Sequence, residues 1–336
     1  MKKIFYFILI SIFSLTVISC AKEDDDNSTS SSDNSTSDNS TSSSSSSGGL
    51  FVAVGASGTL LTSPDAITWT SRTSGTSNNL RSFAFDGSSI GVVVGYSGTI
   101  LTSTDGETWT SRTSGTSKNI NNVAYGNSKF IAVGDNGTTL NSPDGITWTD
   151  WTSNCGANDN ESLWDVAYGS STWVAVGDNG SIYTSDESSC TKRTSGTTVE
   201  FNELIYGNST FVAAGDNGTV LTSSNGTSWT SRTSGTTNHL YGGTYTASNH
   251  AGSKEFVLVG ASGKIINSSD GTSWETISPS TVTTGSIFGI ARGGTTWVVA
   301  GASGYISSIS DSEDDLTTRT SGTTASLRRV FYVSGD

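Results

Sequence analysis

Phe211-Val212-Ala213-Ala214-Gly215-Asp216-Asn217-Gly218-Thr219 decides the fold. An apolar run stops at a Gly-Asp-Asn-Gly turn of the kind that closes a tight hairpin. Working outward, Leu204-Ile205-Tyr206-Gly207-Asn208 precedes it. Ser223-Ser224-Asn225-Gly226-Thr227-Ser228-Trp229 and Arg232-Thr233-Ser234-Gly235-Thr236 follow, so residues 201–239 read as four short strands separated by turns. The turn recurs as Gly-Asp-Asn-Gly or Gly-Ala-Ser-Gly. Its first glycine falls at Gly55, Gly95, Gly134, Gly177, Gly215, Gly260 and Gly301, seven copies spaced 38 to 45 residues apart. Four-stranded units with a period of about 40 residues predict an all-β, seven-bladed β-propeller over residues 49–336.

The ends of the repeat predict closure. The first unit lacks an inner strand and starts at Leu50-Phe51-Val52-Ala53-Val54, whereas Leu327-Arg328-Arg329-Val330-Phe331-Tyr332-Val333 aligns with the inner-strand segments Leu80–Phe85 and Ile120–Tyr125. The C-terminal segment is therefore expected to complete the first blade. A parallel solenoid of the same period would need no such transfer, whereas a ring removes its exposed sheet edges that way.

Composition narrows the function. With 17 Lys+Arg against 30 Asp+Glu the net charge is −13, and the chain has no basic stripe, which excludes binding of a phosphate backbone by counterion release. Two histidines, His239 and His250, leave little material for histidine-based metal sites or catalysis, and no cofactor or metal is expected. Residues 1–19, with Lys2, Lys3 and an apolar run from Ile4 to Ile18, read as an export signal. Val17-Ile18-Ser19-Cys20 resembles the bacterial lipobox, which implies lipidation at Cys20; an ordinary signal peptide with a coincidental Cys is the alternative. Removing these residues takes away two lysines and no acid, so the net charge becomes −15. From residue 20 to 48 the chain is acidic and then Ser/Asn/Asp-rich, with nothing apolar to join a core, and reads as a solvated tether with a span of roughly 30 Å. The acidic run Glu23–Asp26 also resembles a surface-export signal of some Bacteroidota lipoproteins. The expected location is the bacterial cell envelope, outer membrane or cell surface, with membrane contact through the lipid alone.

Ser63-Pro64-Asp65-Ala66-Ile67-Thr68-Trp69 and its counterparts ending at Trp109, Trp148 and Trp274 resemble the Asp-box of BNR-type propellers, with one residue fewer between Asp and the aromatic residue. Over residues 49–336 the repeat is similar to the photosystem II stability and assembly factor group. That resemblance implies a propeller acting as an assembly or stability factor. The box Asp is expected to be a turn device that accepts local N–H groups. Cys190 and Leu316 replace the Trp in blades 4 and 7. Arg72, Arg112, Arg193, Arg232 and Arg319 recur at one register in different blades and so cannot converge on one carboxylate, which weighs against the alternative, a sialidase-like carbohydrate-active enzyme.

Three departures from the repeat carry the candidate sites. Asp135, Asp178 and Asp216 occupy the turns of three consecutive blades, either as an acidic patch or as interchangeable turn residues. Cys155, in an enlarged loop, and Cys190 are two thiols of an exported chain and suggest a disulfide. The second residue of each inner strand reads Arg81, Asn121, Trp164, Asn202, Tyr241, Phe288 and Arg328, between neighbours that barely vary. A frame that diversifies in Arg and aromatic residues has hot-spot composition, although drift at an exposed loop edge would also diversify it. Arg81 and Arg328 become neighbours on ring closure and would suit a carboxylate-bearing partner, a protein or glycan of the envelope. A nonrepeating cluster of acids or bases in the channel would favour an enzyme, and the repeats show none. The sequence therefore points to a non-enzymatic binding or scaffolding propeller.

Overall fold

The structure, a computed structural model, describes residues 48–152, 161–186, 189–247, 254–277, 284–311 and 315–335. Residues 1–47, with the expected export signal, Cys20 and most of the expected tether, and Cys155 lie outside the described residues.

Seven four-stranded antiparallel sheets form the seven blades of a propeller. The inner strands are Leu327–Val333 in blade 1, Leu80–Phe85 in blade 2, Ile120–Gly126 in blade 3 and Leu163–Gly169 in blade 4. Phe201–Gly207, Leu240–Ala247 and Ile287–Gly293 follow in blades 5, 6 and 7. Each second strand, such as Phe211–Val212–Ala213–Ala214 in blade 5, is buried on both faces because blades stack on either side. Seven apolar clusters result, one per interface between neighbouring blades. Phe51, Ala53 and Leu61 of blade 1, for example, pack with Val298, Ala300 and Ile306 of blade 7.

The turn between second and third strands needs glycine at both ends for different reasons. At Gly134 a Cβ would stand 2.0 Å from the carbonyl oxygen of Asn119, so the returning loop could not approach; Gly218 adopts φ +69°. The following turn is held by its acid. Asp105 Oδ1 accepts the N–H groups of Glu107 and Thr108, each at 2.8 Å, and the Ser103 hydroxyl at 2.9 Å. Asp65, Asp144 and Asp270 make the same bonds, and Asn225 substitutes in blade 5. The Trp that follows fills the seam with the preceding blade: Trp148 of blade 3 packs on Ala84, Ile90 and Val92 of blade 2. Where that Trp is missing, Trp151 packs into the seam between blades 3 and 4, and the smaller Leu316 lies in the seam between blades 6 and 7. Cys190 is disulfide-bonded. The recurrent arginines are local as well, each Nε donating to a hydroxyl of its own blade at 2.8 Å, as in Arg72 to Thr62 and Arg319 to Ser308.

Closure follows the expected route. Strand Leu327–Val333 pairs with Leu50–Gly55, with Val330 opposite Ala53 and Val333 opposite Leu50, and lies between the inner strands of blades 7 and 2. Leu327 and Val330 are buried, and each such side chain stabilises by roughly 1.5–3 kcal/mol. Deleting residues 327–336 is expected to lower the melting temperature far more than removing ten tether residues. Equal thermal melts of the two truncations would contradict ring closure by this strand.

The turn acids also set an acid limit. Backbone N–H groups of Thr108 and Glu107 hold Asp105 down to about 2, and the Thr147 N–H lowers Asp144. A carboxyl lowered on folding stabilises the fold above its unfolded value and loses that contribution as pH falls toward the lowered one. Melting temperature should therefore drop between about pH 4 and 2. A variant with Asn at Asp65, Asp105, Asp144 and Asp270 should show a shallower drop, and an unchanged slope would contradict the assignment.

Candidate functional site

Every inner strand skips one residue as it pairs. Leu80 faces Gly95 and Ser82 faces Val94, leaving Arg81 unpaired; in blade 1 Leu327 faces Gly55 and Arg329 faces Val54, leaving Arg328. The same bulge occurs at Asn121, Trp164, Asn202, Tyr241 and Phe288. A bulge re-aims the side chain it releases. The residue anchoring each bulge, from Leu80 to Leu327, is fully buried and cannot slip. All seven variable residues consequently line one depression of about 250 Å3 at the channel mouth, together with Glu200 and Arg329.

The turn acids belong to this site. Asn121 Nδ2 donates to Asp135 Oδ1 at 2.9 Å and to the Leu163 carbonyl of the next blade at 3.1 Å. Trp164 Nε1 donates to Asp178 Oδ1 at 2.6 Å, and Asn202 Nδ2 donates to Asp216 Oδ1 at 3.0 Å. Each acid thus anchors the ring residue of its own blade, and each of those ring residues is an N–H donor. His239 Nδ1 lies 2.8 Å from Asp216 Oδ1 as well. Where the turn carries Tyr96 instead, the ring residue is Arg81, whose guanidinium lies over the Tyr96 ring at 5.5 Å and the Trp164 ring at 5.3 Å. Blades with Ala in the turn present Tyr241, Phe288 and Arg328. Tyr241 stacks on His239, and Arg328 sits 4.6 Å over the Phe288 ring. Burial is the main cause that lowers the Arg81 pKa, with Arg328 and Arg329 acting in the same direction.

One expectation is corrected below this ring. The channel does hold a nonrepeating cluster of charged groups: Arg329 of blade 1, Asp165 of blade 4 and Glu203 of blade 5. Arg329 Nη2 lies 3.2 Å from Asp165 Oδ2, and Nη1 pairs with Glu203; the side-chain exposures are 13%, 5% and 4%. Asp165 Oδ2 also accepts the Leu204 N–H at 2.9 Å. Burial first, then the neighbouring Asp165, push the Glu203 carboxyl well above the usual range, and Arg329 only partly opposes this. The three groups are spent on one another and on the Leu204 N–H, so the cluster, which by its composition would favour an enzyme, is a cross-channel brace below the mouth. Its signal was present in the sequence as the third inner-strand position, which reads Ser82, Asn122, Asp165, Glu203, Gly242, Gly289 and Arg329. Nothing short of the ring geometry shows that blades 1, 4 and 5 face one another across the channel. Among the described residues no group of three or more His, Cys, Asp and Glu is placed to hold a metal ion.

No family profile and no curated protein matches the chain. Solved structures do. "YCF48 bound to D1 peptide" is 20% identical with a TM-score of 0.57, over 72% of this chain and 81% of that one. YCF48 from Cyanidioschyzon merolae is 16% identical with a TM-score of 0.53, over 74% and 85%. The WD40 β-propeller domain of Doa1 is 13% identical with a TM-score of 0.57, over 84% and 90%. At these identities the likeness is one of fold.

The brace carries a stability consequence. Arg329→Met should cost about 3–5 kcal/mol because it leaves two carboxylates buried without a cation, and adding Glu203→Gln should recover part of the loss. Denaturant unfolding of the single and double variants checks this; equal stabilities of wild type and Arg329→Met would contradict the brace.

Proposed function

We propose that this chain is a membrane-tethered binding or scaffolding propeller, an assembly-type factor of the cell envelope, that receives a carboxylate-bearing polypeptide segment in the channel mouth. The observation that carries this proposal is the pair Arg81 and Arg328. They are brought to adjacent blades by ring closure, are exposed to the depression, and form no ion pair among the described residues. Their guanidiniums rest on aromatic faces, which hold the planar donors in place and leave their edges free for a carboxylate. That a propeller of similar fold is solved with a bound D1 peptide supports a polypeptide ligand. The recurrent turn acids and outer arginines are consumed by local bonds, which supports binding over glycoside hydrolysis. Export is supported by the disulfide at Cys190, since such bonds persist in oxidising compartments.

The double change Arg81→Ala with Arg328→Ala should reduce recovery of partners in pull-downs from the native envelope without changing the melting temperature; Trp164→Ala should also reduce recovery, with a lowered melting temperature because it removes the bond to Asp178. Undiminished recovery by both would move the site elsewhere. Cys155 is the proposed partner of Cys190. Denatured, unreduced protein from the envelope should show no free thiol at either position, and two reactive thiols would refute the pairing.

A further inference from the structure

The mouth is electrically divided. Blades 1 and 2 present Arg81 and Arg328, cations without a carboxylate partner among the described residues. Facing them is Glu200, the last residue before the inner strand of blade 5, which likewise has no side-chain hydrogen bond or ion pair among the described residues and lines the same depression. In three of the seven blades its place in the repeat has a structural task. Asn79 Oδ1 accepts the Ser57 N–H at 2.9 Å, Asn119 Oδ1 accepts the Ser97 N–H at 3.0 Å, and Ser326 Oγ accepts the Ser303 N–H at 3.4 Å, each closing the turn of the preceding blade. Glu200 makes no such bond to its own preceding turn.

A second group is left over nearby. Asn121 is 4% exposed, and both bonds it makes use Nδ2 as donor to oxygen acceptors, which fixes the amide orientation. Its Oδ1 is buried and has no hydrogen-bond partner. A buried acceptor left unmade costs about 1–3 kcal/mol, a local cost of the bonds that fix Asn121 in the ring. Two guanidiniums and a carboxylate, none ion-paired among the described residues, therefore line one depression of about 250 Å3.

We propose that the mouth recognises a zwitterionic stretch of polypeptide, with a carboxylate held between Arg81 and Arg328 and a lysine or arginine side chain held by Glu200. This rests on the proposed binding function and names the second charge of its ligand. The environment of Glu200 agrees. Burial, then Asp178 and Asp216, raise its pKa, while His239 and Arg81 relieve it in part. A carboxyl raised on folding stabilises the fold below its unfolded value and loses that contribution as pH rises through the raised one. Glu200→Gln should therefore raise the melting temperature at pH 7, with the gain fading toward pH 4. Recognition of the cationic end should strengthen as Glu200 ionises over the same interval.

The test uses the full chain and capped peptides in which Lys and Glu are separated by zero, one or two Ala, each paired with a norleucine-for-Lys and a Gln-for-Glu analogue, titrated calorimetrically. One zwitterionic spacing is expected to bind about tenfold tighter than either single-charge analogue. Glu200→Gln should abolish the Lys-over-norleucine preference and keep the Glu-over-Gln preference, and the Arg81→Ala/Arg328→Ala variant should do the reverse. If wild type prefers Glu over Gln but is indifferent to Lys, or if Glu200→Gln leaves the Lys preference intact, the zwitterionic site is overturned and the proposed function stands. If no peptide binds, or binding ignores both charges, both are overturned.

Discussion

One skipped residue per inner strand organises the molecule. Because the side-chain period of a strand is two, a bulge after a fully buried Leu, Ile or Phe releases the next side chain from the pleat and sends it to the channel mouth. Repetition in seven blades turns that local irregularity into a ring, and closure by Leu327–Val333 puts Arg328 beside Arg81. The hydrophobic seams between blades make the bulges permanent, since a slip of one residue would expose Leu80 or Phe201 and bury a guanidinium or an amide.

The frame and the site are built from one repeat with separate demands on it. Residues with a task inside the frame recur in most blades: the Gly134-type turn glycines, the Asp105-type turn acids and the Arg72-type outer arginines. Positions that face the channel are free of those demands and differ from blade to blade. Asp135, Asp178 and Asp216 show how the two sets communicate, since each acid holds the N–H donor at the ring position of its own blade. Arg329, Asp165 and Glu203 then stiffen the floor across the full width of the ring.

Much of this was legible in the sequence. The recurring Gly-x-x-Gly turn revealed the blades, the orphan segment Leu327–Val333 revealed closure, and variability at Arg81, Asn121, Trp164, Asn202, Tyr241, Phe288 and Arg328 marked the residues that share the mouth. Other features were hidden for physical reasons. The bulge leaves no composition of its own, and the bond from Trp164 to Asp178 joins the start of the inner strand to the turn that follows the second strand. The brace joins blades that are distant in sequence and meet only because the ring closes. Glu200 looks like one more loop acid until its counterparts Asn79, Asn119 and Ser326 are seen capping turns.

The most direct measurement follows the side-chain N–H signals of Asn121, Asn202 and Trp164 by NMR as the proposed polypeptide ligand is added. These three groups sit in the ring and are fixed by the turn acids, so a ligand in the mouth must disturb all three. Shifts at these signals, with the indoles of Trp109, Trp148 and Trp229 in the outer seams unmoved, are the predicted result. Shifts confined to the outer indoles, with the three ring signals unchanged at saturation, would contradict the account.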